Sequence, residues 1–226
     1  MKKQILIFII TILTNSFLYI NAYSQEKKDS TSYKKIKIGN QIWMTENLNV
    51  SRFRNNEVIF QAKTKQEWLK AAEEKKAAWC YYEFNTANEI TYGKLYNWYA
   101  VQDIRGLAPI GWHIPSGIEW TTLSDELGGD EFNAGPKLKS INGWNDEGGG
   151  DNSSGFNGLP GGICDTNGIF SGLGSLCEWW SNAESESNAT SIEDEVWTRL
   201  LDKHFSNFLK KQDKKNMGAS VRCIKD

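Results

Sequence analysis

The sequence predicts a domain that mixes a few helices with short strands and long ordered loops. Three observations carry that expectation: a two-residue turn between alternating segments near residue 40, two helix starts led by a hydroxyl residue, and glycine clusters that cut the second half into short apolar pieces. The first element is a hairpin. Ile36-Lys37-Ile38 alternates, Gly39-Asn40 suits the positive backbone angles of a tight turn, and Gln41-Ile42-Trp43-Met44 follows. Thr64-Lys65-Gln66-Glu67 has capping-box spacing, in which the two side chains each satisfy a backbone donor left over at a helix start. The alanine-rich stretch to Ala78 then predicts a first helix. Ser116-Gly117-Ile118-Glu119 repeats the device, with Trp120, Leu123 and Leu127 on one face and Gly128 placed to end the helix.

Beyond these helices the chain is short apolar segments separated by Gly148-Gly149-Gly150, Gly161-Gly162 and Gly172-Leu173-Gly174, a punctuation that suits short strands and ordered loops. Residues Glu193 to Lys211 read two ways. Val196, Trp197, Leu200, Leu201, Phe205 and Leu209 recur at helical spacing, whereas a strand would mix Trp197, Arg199, Leu201 and Lys203 on one face, so the pattern favours a helix. Ser181 to Ser191 reads as a polar acidic loop, and no internal repeat is present.

The opening residues predict export. Lys2 and Lys3 precede an apolar run from Ile5 to Ile20, interrupted only by Thr11, Thr14, Asn15 and Ser16, and the small residues Ala22 and Ser24 sit where a signal peptidase reads them. The expected division is a signal peptide over 1–24, a polar linker over 25–32 and one domain over 33–226, secreted or at the cell surface, with no membrane span in the mature chain. The alternative is an uncleaved N-terminal anchor. Removing the two lysines takes the formal charge from −2 to about −4, which argues against a nucleic-acid partner. Ten Trp, eight Tyr and ten Phe beside twenty Gly describe an aromatic-rich, turn-rich globular chain, unlike a disordered or coiled-coil one. All four cysteines follow the export signal, so disulfides are expected: Cys164 with Cys177 across a glycine-rich turn, and Cys80 with Cys223. Four buried thiols are the alternative.

Several phrases together resemble the Fibrobacter succinogenes major paralogous domain family. They are Ile38 to Met44 with Glu46-Asn47-Leu48, Tyr92 to Ala100, Gly111-Trp112-His113-Ile114-Pro115-Ser116 with Glu119-Trp120, Asn152 to Phe156 with Leu159-Pro160-Gly161-Gly162, Trp179-Trp180-Ser181, and Ser220-Val221-Arg222-Cys223. They stand in the family's order over nearly the whole mature chain. The Pro115-Ser116 to Trp120 phrase is also similar to a helix start in formylglycine-generating enzymes. The resemblance implies an α+β domain of the C-type-lectin kind, two helices on short antiparallel strands with long ordered loops. It also implies strand structure at Trp197 to Leu201, against the helical count, and leaves Asp202 to Lys211 open. A family of surface and secreted proteins with no established activity further implies a binding or display module, not an enzyme.

The chemistry-bearing residues fit that reading. His113 and His204 are the only histidines, and neither accompanies a nucleophile motif, a metal-spaced cluster or a phosphate loop. No catalytic residue and no cofactor are therefore expected. Copper-dependent oxidation of the formylglycine-generating kind would need two close thiolates, and Cys164 and Cys177 lie too far apart in sequence without the enzyme's surrounding motif. Trp144-Asn145-Asp146, with Glu147 and Asp151 nearby, has the look of a lectin calcium tripeptide, but calcium takes six to eight oxygens and no second such motif follows. The expected contact loop runs from Asn142 to Phe156. Trp144 can stack on a sugar face while Asn145, Asp146, Asp151 and Asn152 bond hydroxyls, with a buried loop anchor as the other reading of Trp144. The ligand is a glycan or a protein. The alternatives are a copper-dependent oxidase-like protein and a purely structural surface protein.

Overall fold

The computed structural model describes residues 33–129, 133–182 and 195–226, and every element below belongs to the unit Lys34–Asp226. The expected signal peptide, its cleavage point, the linker and most of the acidic loop after Ser181 lie outside the described residues. The hairpin forms as read: β1 (Lys35–Ile38) pairs antiparallel with β2 (Gln41–Met44), with Ile38 opposite Gln41. Gly39 takes the positive φ of +56° that the turn requires. In the same sheet the final strand pairs with the second. β12 (Ile224–Lys225) lies between β2 and β6 (Trp112–His113), with Ile224 opposite both Trp43 and His113.

Helix α1 (Lys65–Glu73) starts on Thr64, whose hydroxyl accepts the Glu67 N–H, while the Glu67 carboxylate accepts the Lys63 N–H. It stops earlier than the alanine pattern suggests. Lys75 turns to φ +49°, and Ala78–Cys80 forms β4, the middle strand of a sheet with β3 (Phe60–Gln61) and β5 (Leu95–Tyr96). The side chain of Asn97 decides the matter by accepting the Ala78 N–H at 3.0 Å and donating to the Lys76 carbonyl at 2.8 Å, which gives a tertiary partner to backbone that a longer helix would have bonded internally. Two short helices, α2 (Glu89–Tyr92) and α3 (Trp98–Val101), flank β5. Helix α4 (Gly117–Glu126) carries the predicted capping box with both bonds present, and Trp120 and Leu123 are buried as expected. Helix α5 (Ala134–Leu138) follows.

The largest sheet has the order β11-β10-β9-β7-β8, built from β7 (Gly161–Cys164), β8 (Phe170–Leu173), β9 (Leu176–Trp180), β10 (Glu195–Asp202) and β11 (Leu209–Lys214). The helical reading of 193–211 is therefore overturned, and the strand implied by the family resemblance is present. Arg199 is the reason that the pattern misleads. It is buried beside the apolar Leu201, its guanidinium donating to Thr121 Oγ1 at 2.8 Å and lying 5.3 Å from the centre of the Phe208 ring, so a charged residue occupies an interior position. Pairing is antiparallel except between β3 and β4 and between β7 and β9. The fold is α+β, with few helices, and among the described residues no helix is long and apolar enough to cross a membrane.

Among the described residues two buried clusters stand out. One gathers Trp43, Trp120, Phe156, Trp179 and Phe208, with Trp43 and Trp120 centred 4.7 Å apart and Phe156 edge-on to Trp179 at 5.6 Å. The other surrounds Trp68 with Ala71, Cys80, Leu95 and Cys164.

The expected disulfides are not formed. All four cysteines are buried free thiols, and the two clusters explain why the predicted pairs fail. Cys177 belongs to the aromatic cluster and Cys164 to the one around Trp68, whereas Cys80 shares the cluster of Cys164 and not the surroundings of Cys223. On β7 and β9, Gly162 and not Cys164 stands opposite Cys177, which sets the two thiols two positions out of register.

Candidate functional site

The family phrases converge on one centre, and that centre is structural. Asn47 Oδ1 accepts from Trp179 Nε1 and from the Arg222 guanidinium, both at 2.9 Å, while Asn47 Nδ2 donates to the Tyr92 carbonyl at 3.0 Å and to Ser220 Oγ at 3.2 Å. Arg222 is wholly buried and donates in addition to the carbonyls of Met44 and Phe156. Its guanidinium lies 4.4 Å from the centre of the Phe156 ring. Burial pulls its pKa down to about 10, still leaving it cationic at neutral pH. Residues from five of the quoted phrases meet here with their polar atoms hydrogen-bonded to one another or to backbone.

The predicted contact loop stands above this centre. Trp144 is only 9% exposed, and its Nε1 donates to Ser140 Oγ and to the Gly158 carbonyl, both at 3.1 Å. The stacking face suggested by the sequence is thus turned inward, and Trp144 anchors the loop from below. Two glycines seat the loop equally closely. A Cβ on Gly150 would stand 1.9 Å from the Pro136 carbonyl oxygen, and one on Gly148 would stand 2.3 Å from Lys203 Cβ, so neither position admits a side chain without a shift.

What the loop presents to solvent is polar. Asn145, Asp146 and Asp151 are exposed and Asn152 is half-buried. The Asp146 carboxylate accepts from the Lys203 ammonium, which holds its pKa below the usual carboxylate range. Asp151 Oδ1 accepts the Ser153 N–H at 2.8 Å, which lowers Asp151 in the same way. Asn152 Oδ1 accepts the Asn157 N–H at 2.8 Å and closes the loop's far end. Asp146, Glu147 and Asn152 all hold positive φ, which fixes where their side chains leave the backbone. Two apolar side chains are exposed nearby in the chain: Ile141 at the loop's start is 65% exposed, and Phe205, two residues after the Lys203 that meets Asp146, is 54% exposed. The sequence pattern ties neither to the loop's acidic groups, because only the fold brings Lys203 against the loop.

Histidine and cysteine chemistry is occupied elsewhere. Both ring nitrogens of His113 are engaged, Nδ1 with Asp226 and Nε2 with Glu119, each at 2.7 Å. Burial lowers its pKa, and the two carboxylates outweigh burial, so the net direction is up. The Glu119 carboxylate also completes the α4 capping box with Ser116, so this group ties the final strand to a helix start. Burial pushes the Cys177 and Cys223 thiols up to about 12, far from the thiolate form. Cys164 and Cys177, the pair that a copper oxidase of the formylglycine-generating kind would need side by side, are not brought together. Among the described residues no group of three or more His, Cys, Asp or Glu is placed to hold a metal ion.

Fold and site together define an α+β domain of short sheets with a braced, acidic surface loop. Residues 36–225 match the family described as the Fibrobacter succinogenes major domain, and the chain belongs to that family. No curated protein and no solved structure matches this chain.

Proposed function

We propose that this protein is an exported, non-enzymatic binding or display module with a C-type-lectin-like arrangement, and that its contact surface is the loop 141–152 together with Phe205. One observation carries the reading: exposed Asn145, Asp146 and Asp151 stand on backbone that Trp144 and two tightly seated glycines hold in place. A loop so held loses little freedom when it meets a ligand, which is how pre-organisation raises affinity. Its carboxylates have oxygens left to accept hydroxyl or amide hydrogens, and Ile141 and Phe205 offer apolar contact beside them, a mixture suited to a glycan or to a polar protein surface. The closed geometry of the thiols and of His113 supports placing binding, and not covalent chemistry, at the centre of the function.

The test is a glycan and protein-ligand array probed with the full chain, with and without calcium, followed by the Asp146→Ala/Asp151→Ala double variant on whatever binds. The expected result is binding weakened about tenfold or more with an unchanged unfolding midpoint, because both carboxylates lie at the surface. A ligand held equally well by the variant would remove the loop from the contact surface.

A further inference from the structure

Three reactive groups meet where the segment after β2 runs beside the start of β5. Three bonds lay those segments together: Asn47 Nδ2 donates to the Tyr92 carbonyl at 3.0 Å, the Lys94 N–H to the Leu48 carbonyl at 3.5 Å, and the Tyr96 hydroxyl to the Val50 carbonyl at 2.7 Å. The Lys94 side chain is buried, with its ammonium 4.4 Å from the centre of the Trp79 ring and 5.3 Å from that of Tyr81. Its Nζ donates to the Asn49 backbone carbonyl at 3.1 Å and also to the Oδ1 of the Asn49 side chain. Glu89 Oε1, at the start of α2, lies 3.6 Å from Lys94 Nζ and accepts from Asn49 Nδ2 at 3.4 Å. An amine, a side-chain amide and a carboxylate that reaches both nitrogens are thus in contact, the amine sealed under two rings while Asn49 is exposed.

We propose that Lys94 and Asn49 join in an intramolecular isopeptide bond once the chain has folded, with Glu89 carrying the protons. Asn49 Cγ is one carbonyl bond from the oxygen that Nζ already touches, and turning the exposed amide about its soft χ2 presents the carbon's face to the amine. The Glu89 carboxylate takes one proton from the Lys94 ammonium, and the freed electron pair of Nζ adds to Asn49 Cγ while the carbonyl electrons move onto Oδ1. Glu89 then gives its proton to Nδ2 and accepts the second proton that Nζ sheds. The Cγ–Nδ2 bond breaks as the carbonyl re-forms, and ammonia leaves to water through the exposed side of Asn49, taking the proton from Glu89 as ammonium. One C–N bond replaces another, with nothing oxidised or reduced and no co-reactant needed. Folding supplies the rate, because the fixed segments turn a meeting of amine and amide into a step within one site. The bond ties together residues 45 apart in the chain, joining the segment that leaves the first hairpin to the start of β5 and restricting the unfolded chain.

The full chain is expressed and purified, its intact mass is read under denaturing conditions, and its tryptic peptides are sequenced by tandem mass spectrometry. The expected protein is lighter by one ammonia than the residues it contains, resists trypsin after Lys94, and yields a branched peptide joining the segment of Asn49 to that of Lys94. Asn49→Ala and Glu89→Gln change side chains that reach solvent, so both should fold with an unchanged circular dichroism spectrum, recover the full mass and lose the branched peptide. A Lys94 held only as a buried cation leaves the mass of the unaltered chain unshifted and trypsin cutting after residue 94, and that result overturns the proposal. An ammonia loss that persists in Asn49→Ala overturns it as well, since the loss then belongs to another residue. A branched peptide formed equally fast in Glu89→Gln overturns the part given to Glu89.

Discussion

Strand β9 separates two interiors that treat a buried charge in opposite ways. Successive side chains leave a strand on opposite faces. Cys177 and Trp179 enter the aromatic cluster, where Arg222 stays charged because the carbonyls of Met44 and Phe156 and the Asn47 amide oxygen accept its hydrogens. Glu178, on the other face, is almost fully buried beside Thr198, Lys211 and Asp213. The Thr198 hydroxyl stands 2.6 Å from Glu178 Oε1 and 2.9 Å from Asp213 Oδ2, yet it has one hydrogen to donate, so one carboxyl must carry a proton for both contacts to be bonds. Burial raises the Glu178 pKa, the neighbouring Asp213 adds to the rise, Lys211 and Thr198 pull it back, and the net value is about 8. One face has a charge made permanent by fixed acceptors. The other has a charge that depends on pH.

Removing the fixed charge should have the largest effect. Arg222→Leu leaves several buried acceptors without a donor, and urea unfolding should show a loss of about 3–5 kcal/mol, the range for breaking a buried charged network. A loss under about 1 kcal/mol would mean that the acceptors find other partners and that the centre is not held as described. The titrating face should give a smaller, pH-dependent effect. The folded Glu178 pKa lies above the value of about 4.5 expected for the unfolded chain, so this group's stabilisation is fully present below pH 4.5 and is lost as pH rises through about 8. Unfolding measured from pH 5 to pH 9 should therefore show a decline, and Glu178→Gln should flatten it by a few kcal/mol across that window. A profile equally steep in the variant would assign the decline to other groups.

The smallest effect tests polar pairing within the aromatic face itself. Trp179 Nε1 donates to Asn47, whereas Trp120 Nε1 is buried with no hydrogen-bond partner. Phenylalanine removes comparable volume at either position, so Trp179→Phe should be more destabilising than Trp120→Phe by about 1–2 kcal/mol, roughly one hydrogen bond plus the cost of leaving Asn47 short of a donor. Equal losses would show that packing alone holds this face.

Local rules made some elements legible and not others. The hairpin turn and both capping devices act within four residues, so Gly39, Thr64 and Ser116 could be read without a fold. The candidate loop was legible as a glycine-rich polar segment, and its Asn145, Asp146 and Asp151 are exposed. For Trp144 the sequence left a stacking face and a buried loop anchor both open, and the bonds from its indole to Ser140 and Gly158 decide for the anchor. Phe205 was read only as part of a helical pattern, because the turn between β10 and β11 that brings neighbouring Lys203 to Asp146 is a tertiary feature.

By itself, then, the sequence determined the short-range features: where α1 and α4 begin, the hairpin, the loop-rich character of the second half, and the family phrases. Tertiary structure decided that α1 ends before Ala78, that 195–202 is a strand with Arg199 buried, and that Cys80 shares a buried cluster with Cys164. These outcomes share one physical cause. A helix end, a buried guanidinium and a buried thiol are each settled by what meets the residue across the fold: Asn97 for Ala78, Thr121 for Arg199, and the cluster around Trp68 for Cys80. Spacing along the chain carries no record of those meetings.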